Sequence, residues 1–479
     1  MLTLLGGGLR LLQLGHDSFW FDEAGVAKII TVQSLAEFVN LVRSHVMAVP
    51  LDYAVTWLVG QQCNTETCLR LPSALWGTLT LPVGYLLCWE LFNSRVARRA
   101  ILLMALSPFL VQYSQELRFY SSLVFFYLLS TYLLYRALTT PGKKFWILSV
   151  CSLCVGAFFH IFTTFALLNG WVWFVFKQSS RAERPRQMRS LAVVSLAVML
   201  TLLAAYFTFI GYTAASLNHN LFDFEASPLR LFGVALGWIP YYESAWSAAW
   251  LWGMLCCLFE ITGLVVVLRQ NPKSPAACLV YSSLAQMGAI LAANLAKHYA
   301  LAPRQLIALL PFGLFLAAYG SLAASEWISA RLAAIHFPGS AHRLVNGFIL
   351  AALLMASLPA LQDYYSAVKS KDRETAAYLA AHWHSGDTII AIPMTTAETL
   401  NYYLSDQLGR KDTAAALRQA TEQDLDKVLN WQGSVFLIAP QSINTGSAAQ
   451  LSQAGFVRTV LQDEHNQVER VIWVRQSFN

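Results

Sequence analysis

Two adjacent carboxylates, Asp22 and Glu23, follow the aromatic run Phe19-Trp20-Phe21. Such a pair can serve proton transfer, bind a metal, or favour the start of a helix. The neighbouring rings partly exclude water from Asp22, which makes it the better base, and Glu23 suits the helix start. The plain alternative is a solvated loop pair. A second cluster reads Tyr113-Ser114-Gln115-Glu116-Leu117-Arg118-Phe119-Tyr120. Glu116 and Arg118 are close enough in sequence to form a boundary ion pair. Equally, an arginine at a helix mouth can hold an anionic phosphate through bidentate hydrogen bonds. A third cluster, Lys297, His298 and Arg304, precedes Pro311. These cations either cradle a phosphate or carry their charges out to headgroups. His160 and His219 read as ordinary loop histidines, and no His/Cys spacing resembles a zinc site. The stretch Asn218-His219-Asn220 with Asp223-Phe224-Glu225 is polar enough to touch an acceptor.

The chain that must position these residues has 479 residues, of which 56% are hydrophobic and 13% charged. A soluble domain carries about a quarter charged residues, so a polytopic membrane protein is the class that fits. The net charge of +6 is uneven: residues 363–479 hold 10 Lys/Arg against 13 Asp/Glu. The excess of positive charge therefore lies in the apolar part, where basic loops orient helices. No basic stripe suggests nucleic acid.

A spanning helix needs roughly 20 apolar residues, and about eleven such segments follow one another from Met1–Leu14 to Leu344–Leu361. Between the first two, Ala24–Val49 and Leu51–Val59 carry spaced apolar positions among charges, the pattern of amphipathic helices lying on a surface. Every second loop is rich in Lys and Arg, about 15 against about 7 in the others. The positive-inside rule then puts the carboxylate pair, Gln115-Glu116, Lys297–Arg304 and the tail on the extracytoplasmic face of a cytoplasmic membrane. Cys63 and Cys68 share a loop on that face, where a disulfide between them is expected.

The tail, residues 363–479, alternates helical and strand patterns, with strands at Thr388–Ile392, Ser434–Ile438, Val457–Leu461 and Val468–Val474. It reads as a small α/β domain attached to a membrane domain of residues 1–362. It has no Gly-rich phosphate loop.

Three segments together resemble a family. Asp17-Ser18-Phe19-Trp20-Phe21-Asp22-Glu23-Ala24 is similar to the first-loop motif of GT-C fold membrane glycosyltransferases. These are relatives of the protein O-mannosyltransferases and of the aminoarabinose transferase that modifies lipid A. Ser107-Pro108-Phe109 with Tyr113–Tyr120 resembles their Tyr-Ser-Gln-Glu-x-Arg-x-Tyr motif, and Arg304-Gln305-Leu306 with Leu310-Pro311 their late Arg-Tyr-Leu…Leu-Pro signature. The chain departs from the family at His45–Tyr53, where relatives often carry His-Pro-Pro. The resemblance implies a mainly α, GT-C type bundle and a polyprenyl-phosphate-linked sugar as donor. It also implies a hydroxyl acceptor on a glycan, lipid or protein. Asp22 is then the catalytic base, seconded by Glu23. By the family pattern Glu116 and Arg118 line the donor site, with Tyr113 and Gln115 in the same motif and Arg304 in the late signature; Lys297 and His298 are further candidate phosphate ligands from their charge alone. One base and one displacement imply inversion. No cofactor is required, although a divalent cation is compatible with the parts.

Two other classes compete. A transporter or lipid flippase predicts charged or broken helices at mid-membrane and two similar halves, whereas the charges here gather at helix ends. A non-catalytic membrane scaffold has no need of three polar motifs on one face.

Overall fold

The computed structural model describes residues 1–44, 50–177, 182–205, 207–208, 233, 236–237, 248–297, 303–335, 341–366, 370–392, 394–420, 424–431, 433–439, 445–462 and 468–475. By contact clustering the chain forms two compact units. One comprises Met1–Leu12, Val39–Val55 and Arg70–Ser366. The other comprises Gln13–Phe38, Thr56–Leu69 and Ala367–Asn479.

In chain order the helices are α1 (Leu2–Leu11), α2 (Phe21–Ile30), α3 (Leu35–Ser44), α4 (Pro50–Gly60), α5 (Glu66–Leu91), α6 (Ser94–Leu106), α7 (Pro108–Ser114), α8 (Tyr120–Thr139) and α9 (Lys144–Phe159). A 3-10 turn (Ile161–Phe165) leads to α10 (Ala166–Phe176), then α11 (Glu183–Ala205), α12 (Ala248–Gln270) and α13 (Pro275–Lys297). A second 3-10 segment (Pro303–Leu309) runs into α14 (Leu310–Ala334), followed by α15 (Ala341–Ser366). Among the described residues, seven helices are long and apolar enough to cross a membrane, or eight if the bent pair α6–α7 is one span. Three shorter apolar segments, Leu2–Leu11, Lys144–Phe159 and Ile161–Phe176, coincide with the remaining expected spans.

The bend in α6–α7 is 58° and has a local cause. Pro108 has no N–H to give to the Met104 carbonyl. The buried Arg10 supplies donors instead, from Nη2 to Met104 O at 3.3 Å and from Nη1 to Ala105 O at 3.4 Å. Ser107 caps the new helix, its Oγ accepting from Leu110 N at 3.5 Å. Gly77 of α5 allows the close approach at this point: a Cβ there would lie 2.0 Å from Ser114 Oγ and 3.1 Å from Arg10 Nε. Deeper in the bundle, Asn169 links α8, α10 and α13, contacting Thr131, Ser282 and Gln286 at 2.9, 2.5 and 3.1 Å. Satisfied polar contacts of this kind hold apolar helices together where the hydrophobic effect does not discriminate.

In the second unit the tail folds as expected into α/β layers. Its helices include α16 (Asp372–His382), α17 (Met394–Asn401), α18 (Lys411–Ala415), α19 (Leu425–Leu429) and α20 (Thr445–Gln453), with a π-helical turn at Tyr402–Gln407. Five strands, β1 (Thr388–Ala391), β2 (Leu417–Gln419), β3 (Val435–Ala439), β4 (Val457–Gln462) and β5 (Val468–Arg475), pair in the order β2-β1-β3-β5-β4. β1 lies parallel to β2 and β3, with Ile389 opposite Leu417 and Phe436. β5 lies antiparallel to β3 and β4. Ile390, Val435, Leu437, Leu451, Phe456 and Trp473 form the core under the sheet. The edge strand β2 escaped the sequence reading, because Leu-Arg-Gln offers neither length nor apolar alternation.

Candidate active site

Asp22 and Glu23 both stand in the first turn of α2. Glu23 is fully buried, and its Oε2 accepts from Trp20 N at 3.3 Å, closing the helix start from within. That is the role expected of a carboxylate beside unpaired N-terminal amides. Asp22 is half-buried.

The loop leading into α2 is held by residues far away in sequence. Phe19 N donates to Tyr403 Oη at 2.6 Å, and that hydroxyl donates to Glu66 Oε1 at 3.0 Å. Ser18 Oγ lies 3.1 Å from Glu374 Oε2 and accepts from Arg373 N at 3.1 Å. Arg373 itself reaches Glu66 at 3.1 Å, Glu374 at 2.9 Å and the His16 carbonyl at 3.2 Å. The Phe19 ring stacks against Tyr403, with centroids 6.3 Å apart. The expected disulfide between Cys63 and Cys68 is formed. Gly15 must be glycine, since a Cβ would sit 2.0 Å from Thr67 Oγ1. Burial and the nearby Glu66 carboxylate push the Tyr403 phenol well above its ordinary range, so it stays a neutral donor.

The second motif occupies the end of α7 and the turn before α8. Gln115 is spent on the fold. Its Nε2 faces the carbonyls of Leu9, Arg10 and Leu12 at 3.3, 3.2 and 2.6 Å, and its Oε1 accepts from Tyr364 Oη at 2.8 Å. It thus satisfies the C-terminal carbonyls of α1. Tyr113 is buried between Phe109 and Tyr120, each with its ring centroid 4.9 Å away. Glu116 is buried, and its Oε1 accepts from Gln112 Nε2 at 3.3 Å.

Arg118 is the centre of a polar cluster that the sequence did not reveal. Its guanidinium carbon lies 5.0 Å from the Phe119 ring and 5.9 Å from the Tyr120 ring, an attractive cation–π arrangement. Asp52, in the first turn of α4, is buried with its Oδ1 3.2 Å from Ser122 Oγ. Burial raises the Asp52 carboxyl to about 7, against the pull of Ser122 and Arg118. The His160 ring lies tilted against Phe119 with centroids 4.6 Å apart, and its Nδ1 accepts from Phe162 N at 3.1 Å. Burial, helped by the Arg118 charge, lowers His160 to about 3. The ring is therefore neutral at physiological pH and carries its proton on Nε2. The sequence reading took His160 for an ordinary loop residue and did not single out Asp52. The one signal for Asp52 was an acid two residues after a helix-starting proline, which is too common to weigh.

Arg304 is half-buried on the 3-10 segment that packs against α8 and feeds α14, whose first turn contains Pro311. Lys297 is the last residue of α13. His298 lies outside the described residues, as do Asn218–Glu225 and most of His45–Tyr53. Among the described residues no group of three or more His, Cys, Asp and Glu is arranged to hold a metal ion.

Comparison with known proteins follows from this architecture. Residues 54–207 match the family described as dolichyl-phosphate-mannose-protein mannosyltransferase. No curated protein matches the sequence significantly. The structure is similar to that of ArnT from Cupriavidus metallidurans bound to undecaprenyl phosphate. The TM-score is 0.59 at 12% identity, covering 99% of this chain and 97% of that one. It is also similar to the oligosaccharyltransferase of Archaeoglobus fulgidus, with a TM-score of 0.58 at 10% identity, covering 98% of this chain and 73% of that one. A polytopic helical part, a small five-stranded α/β tail and near full-length superposition on ArnT identify the architecture as the GT-C fold of membrane glycosyltransferases.

Proposed function

We propose that this protein is an integral-membrane glycosyltransferase that moves a sugar from a polyprenyl-phosphate donor to a hydroxyl acceptor on the extracytoplasmic face. The observation that carries the reading is the buried Arg118, set among aromatic rings with Asp52 raised to about 7 and a neutral His160. A guanidinium in that setting can present its planar fork to phosphate oxygens. The match of residues 54–207 to a family named for dolichyl-phosphate-mannose, and a GT-C fold seen elsewhere with undecaprenyl phosphate, make a lipid phosphate the fitting anion.

In the proposed reaction the acceptor oxygen attacks the anomeric carbon from the face opposite the phosphate. The bond from that carbon to the phosphate oxygen breaks, and its electron pair leaves with the lipid phosphate. The acceptor proton passes to Asp22, and the anomeric configuration inverts. Arg118, aided by Arg304, stabilises the negative charge that grows on the departing phosphate. Asp22 contributes as a general base, a role worth typically 10²–10⁴-fold. Glu116 helps to orient Arg118, while Glu23, Gln115 and Tyr113 hold the backbone that presents the reacting groups. Neither Lys297 nor His298 is needed for this scheme.

The test uses the purified full-length protein in nanodiscs, with radiolabelled polyprenyl-phosphate sugars and an extract of envelope glycans, lipids and proteins as acceptors. Transfer of label to an acceptor is expected. Movement of labelled lipid between leaflets without transfer would overturn the reading in favour of a flippase.

A further inference from the structure

Arg118 lies beyond the α7 end of the bent α6–α7 span. At the α6 end of the same span, a different set of charges surrounds a cavity of about 530 Å3 between α6, α14 and α15. Arg95, Arg98 and Arg99 come from α6, and Arg343 from α15. Three of these are exposed, but Arg99 is only 7% exposed. Its guanidinium forms part of the cavity wall and is fixed there by two neutral groups. Nη1 donates to Ser321 Oγ at 2.9 Å, and Nη2 to Asn346 Oδ1 at 2.6 Å.

The contrast with Arg136 is informative. That arginine donates to the Glu90 carboxylate at 2.6 Å and is neutralised by it. Arg99 is oriented by a hydroxyl and an amide oxygen, which leave its charge whole. Among the described residues no carboxylate comes within ion-pair distance of Arg95, Arg98, Arg99 or Arg343. The cavity wall does contain one acid, the exposed Glu326, and one histidine, His342.

Basic residues scattered along a loop only orient a helix in the bilayer. Here four arginines from two helices converge on one open cavity, against their mutual repulsion, and one of them is held in place from a third helix. Apolar side chains complete the wall: Leu102, Leu322 and Leu350 lie beside the arginines. Guanidinium forks match phosphate oxygens, and apolar walls suit the acyl-glycerol part just below a headgroup. We propose that this cavity is a binding site for the phosphodiester headgroup of an anionic phospholipid. The pocket belongs to neither polar motif of the proposed transferase and does not depend on that reading.

The test is native mass spectrometry of the full-length protein released from nanodiscs. These contain equal phosphatidylglycerol and phosphatidylcholine of identical chain length. The wild type is expected to retain phosphatidylglycerol at least about tenfold over phosphatidylcholine, since each surface cation adds attraction for anionic lipid. The triple variant R95Q/R98Q/R343Q changes only exposed side chains. It is expected to lose this preference while melting like the wild type in phosphatidylcholine. Glu326→Gln is expected to strengthen retention by removing the one opposing charge, an effect that a purely structural role would not produce. Equal retention of both lipids, or an unchanged preference in the triple variant, would overturn the proposal. Displacement of the lipid by millimolar inorganic phosphate would also overturn it, by assigning the arginines to a soluble phosphate.

Discussion

At the start of α2 two adjacent acids divide their work. Glu23 turns inward and closes the helix on Trp20 N, while Asp22 stays half-buried beside it. Between α7 and α8 the division falls inside another polar run: Gln115 turns back onto the carbonyls of α1, and Arg118 stands among aromatic rings near Asp52 and His160. In each motif one residue builds the frame, and the proposed reaction assigns its chemistry to another. The surroundings differ. The α2 start is organised by backbone hydrogen bonds and an arginine hub, and the Arg118 cluster by burial of charge. A local substitution in the first should therefore act on rate or on fold separately. One in the second should couple affinity to protonation.

The largest expected effect tests the first division. Asp22→Asn keeps size and hydrogen bonding but cannot accept a proton at neutral pH. Turnover at saturating donor should fall by about 10²-fold or more, with little change in donor affinity. Glu23→Gln should cost less turnover and more stability, because a capping interaction is worth about 0.5–2 kcal/mol. Near-native turnover in Asp22→Asn with a dead Glu23→Gln would exchange the roles, and activity in both would remove this stretch from the chemistry.

The second test asks whether Arg118 acts as a charge on the donor. Arg118→Ala should weaken donor use by about 2–5 kcal/mol, read as kcat/KM with a fixed acceptor. Arg118→Lys should recover only part of this, since a lysine cannot present a planar fork. Unchanged kinetics in both would return Arg118 to a structural role.

The third separates Gln115 from Arg118. Gln115→Leu leaves the α1 carbonyls and the Tyr364 hydroxyl without their partner. It should lower stability by about 1–3 kcal/mol, seen as an earlier thermal transition, while the KM for donor in the folded protein stays near the wild-type value. A large KM effect at unchanged stability would mean that the amide touches substrate.

These roles were unequally legible in the sequence. The helices and four of the five strands follow from hydropathy and alternation, which are local properties. Glu23 was readable as a helix-start residue because a carboxylate in a first turn has a general electrostatic reason to be there. Gln115 was read as a donor residue by resemblance, and nothing in the sequence says that its amide faces Leu12. Asp52 and His160 were opaque for a physical reason. Their perturbation comes from burial beside groups that are distant in sequence, Ser122 being 70 residues from Asp52. The hub at Arg373 likewise joins residues 16 and 66 through tertiary packing that no periodicity announces.

The smallest expected effect concerns Asp52 and isolates what burial adds. A donor with sugar attached to a lipid phosphate is a phosphodiester, so its charge does not change between pH 6 and 8. Arg118 stays charged throughout, and His160, lowered to about 3, stays neutral. Asp52 is therefore the member of the Arg118 cluster whose ordinary titration has been moved into this range, to about 7. Below that pH it is neutral and does not compete with the phosphate for Arg118. Above it the carboxylate competes for Arg118 and repels the donor. Donor affinity should then fall as pH rises through about 7, by up to about tenfold per unit. Thermal stability is a poor readout here. A carboxyl raised from 3.8 makes stability fall as pH climbs from about 4 to about 7, and a histidine lowered from 6.5 makes it rise between about 3 and 6.5. The two slopes oppose over most of that window. Equilibrium binding of a non-reacting phosphodiester analogue avoids the problem. Asp52→Asn should bind with the wild type's low-pH affinity at every pH from 6 to 8. If the variant keeps the wild-type pH slope, the titrating group lies elsewhere and Asp52 serves only to pack α4 against α8.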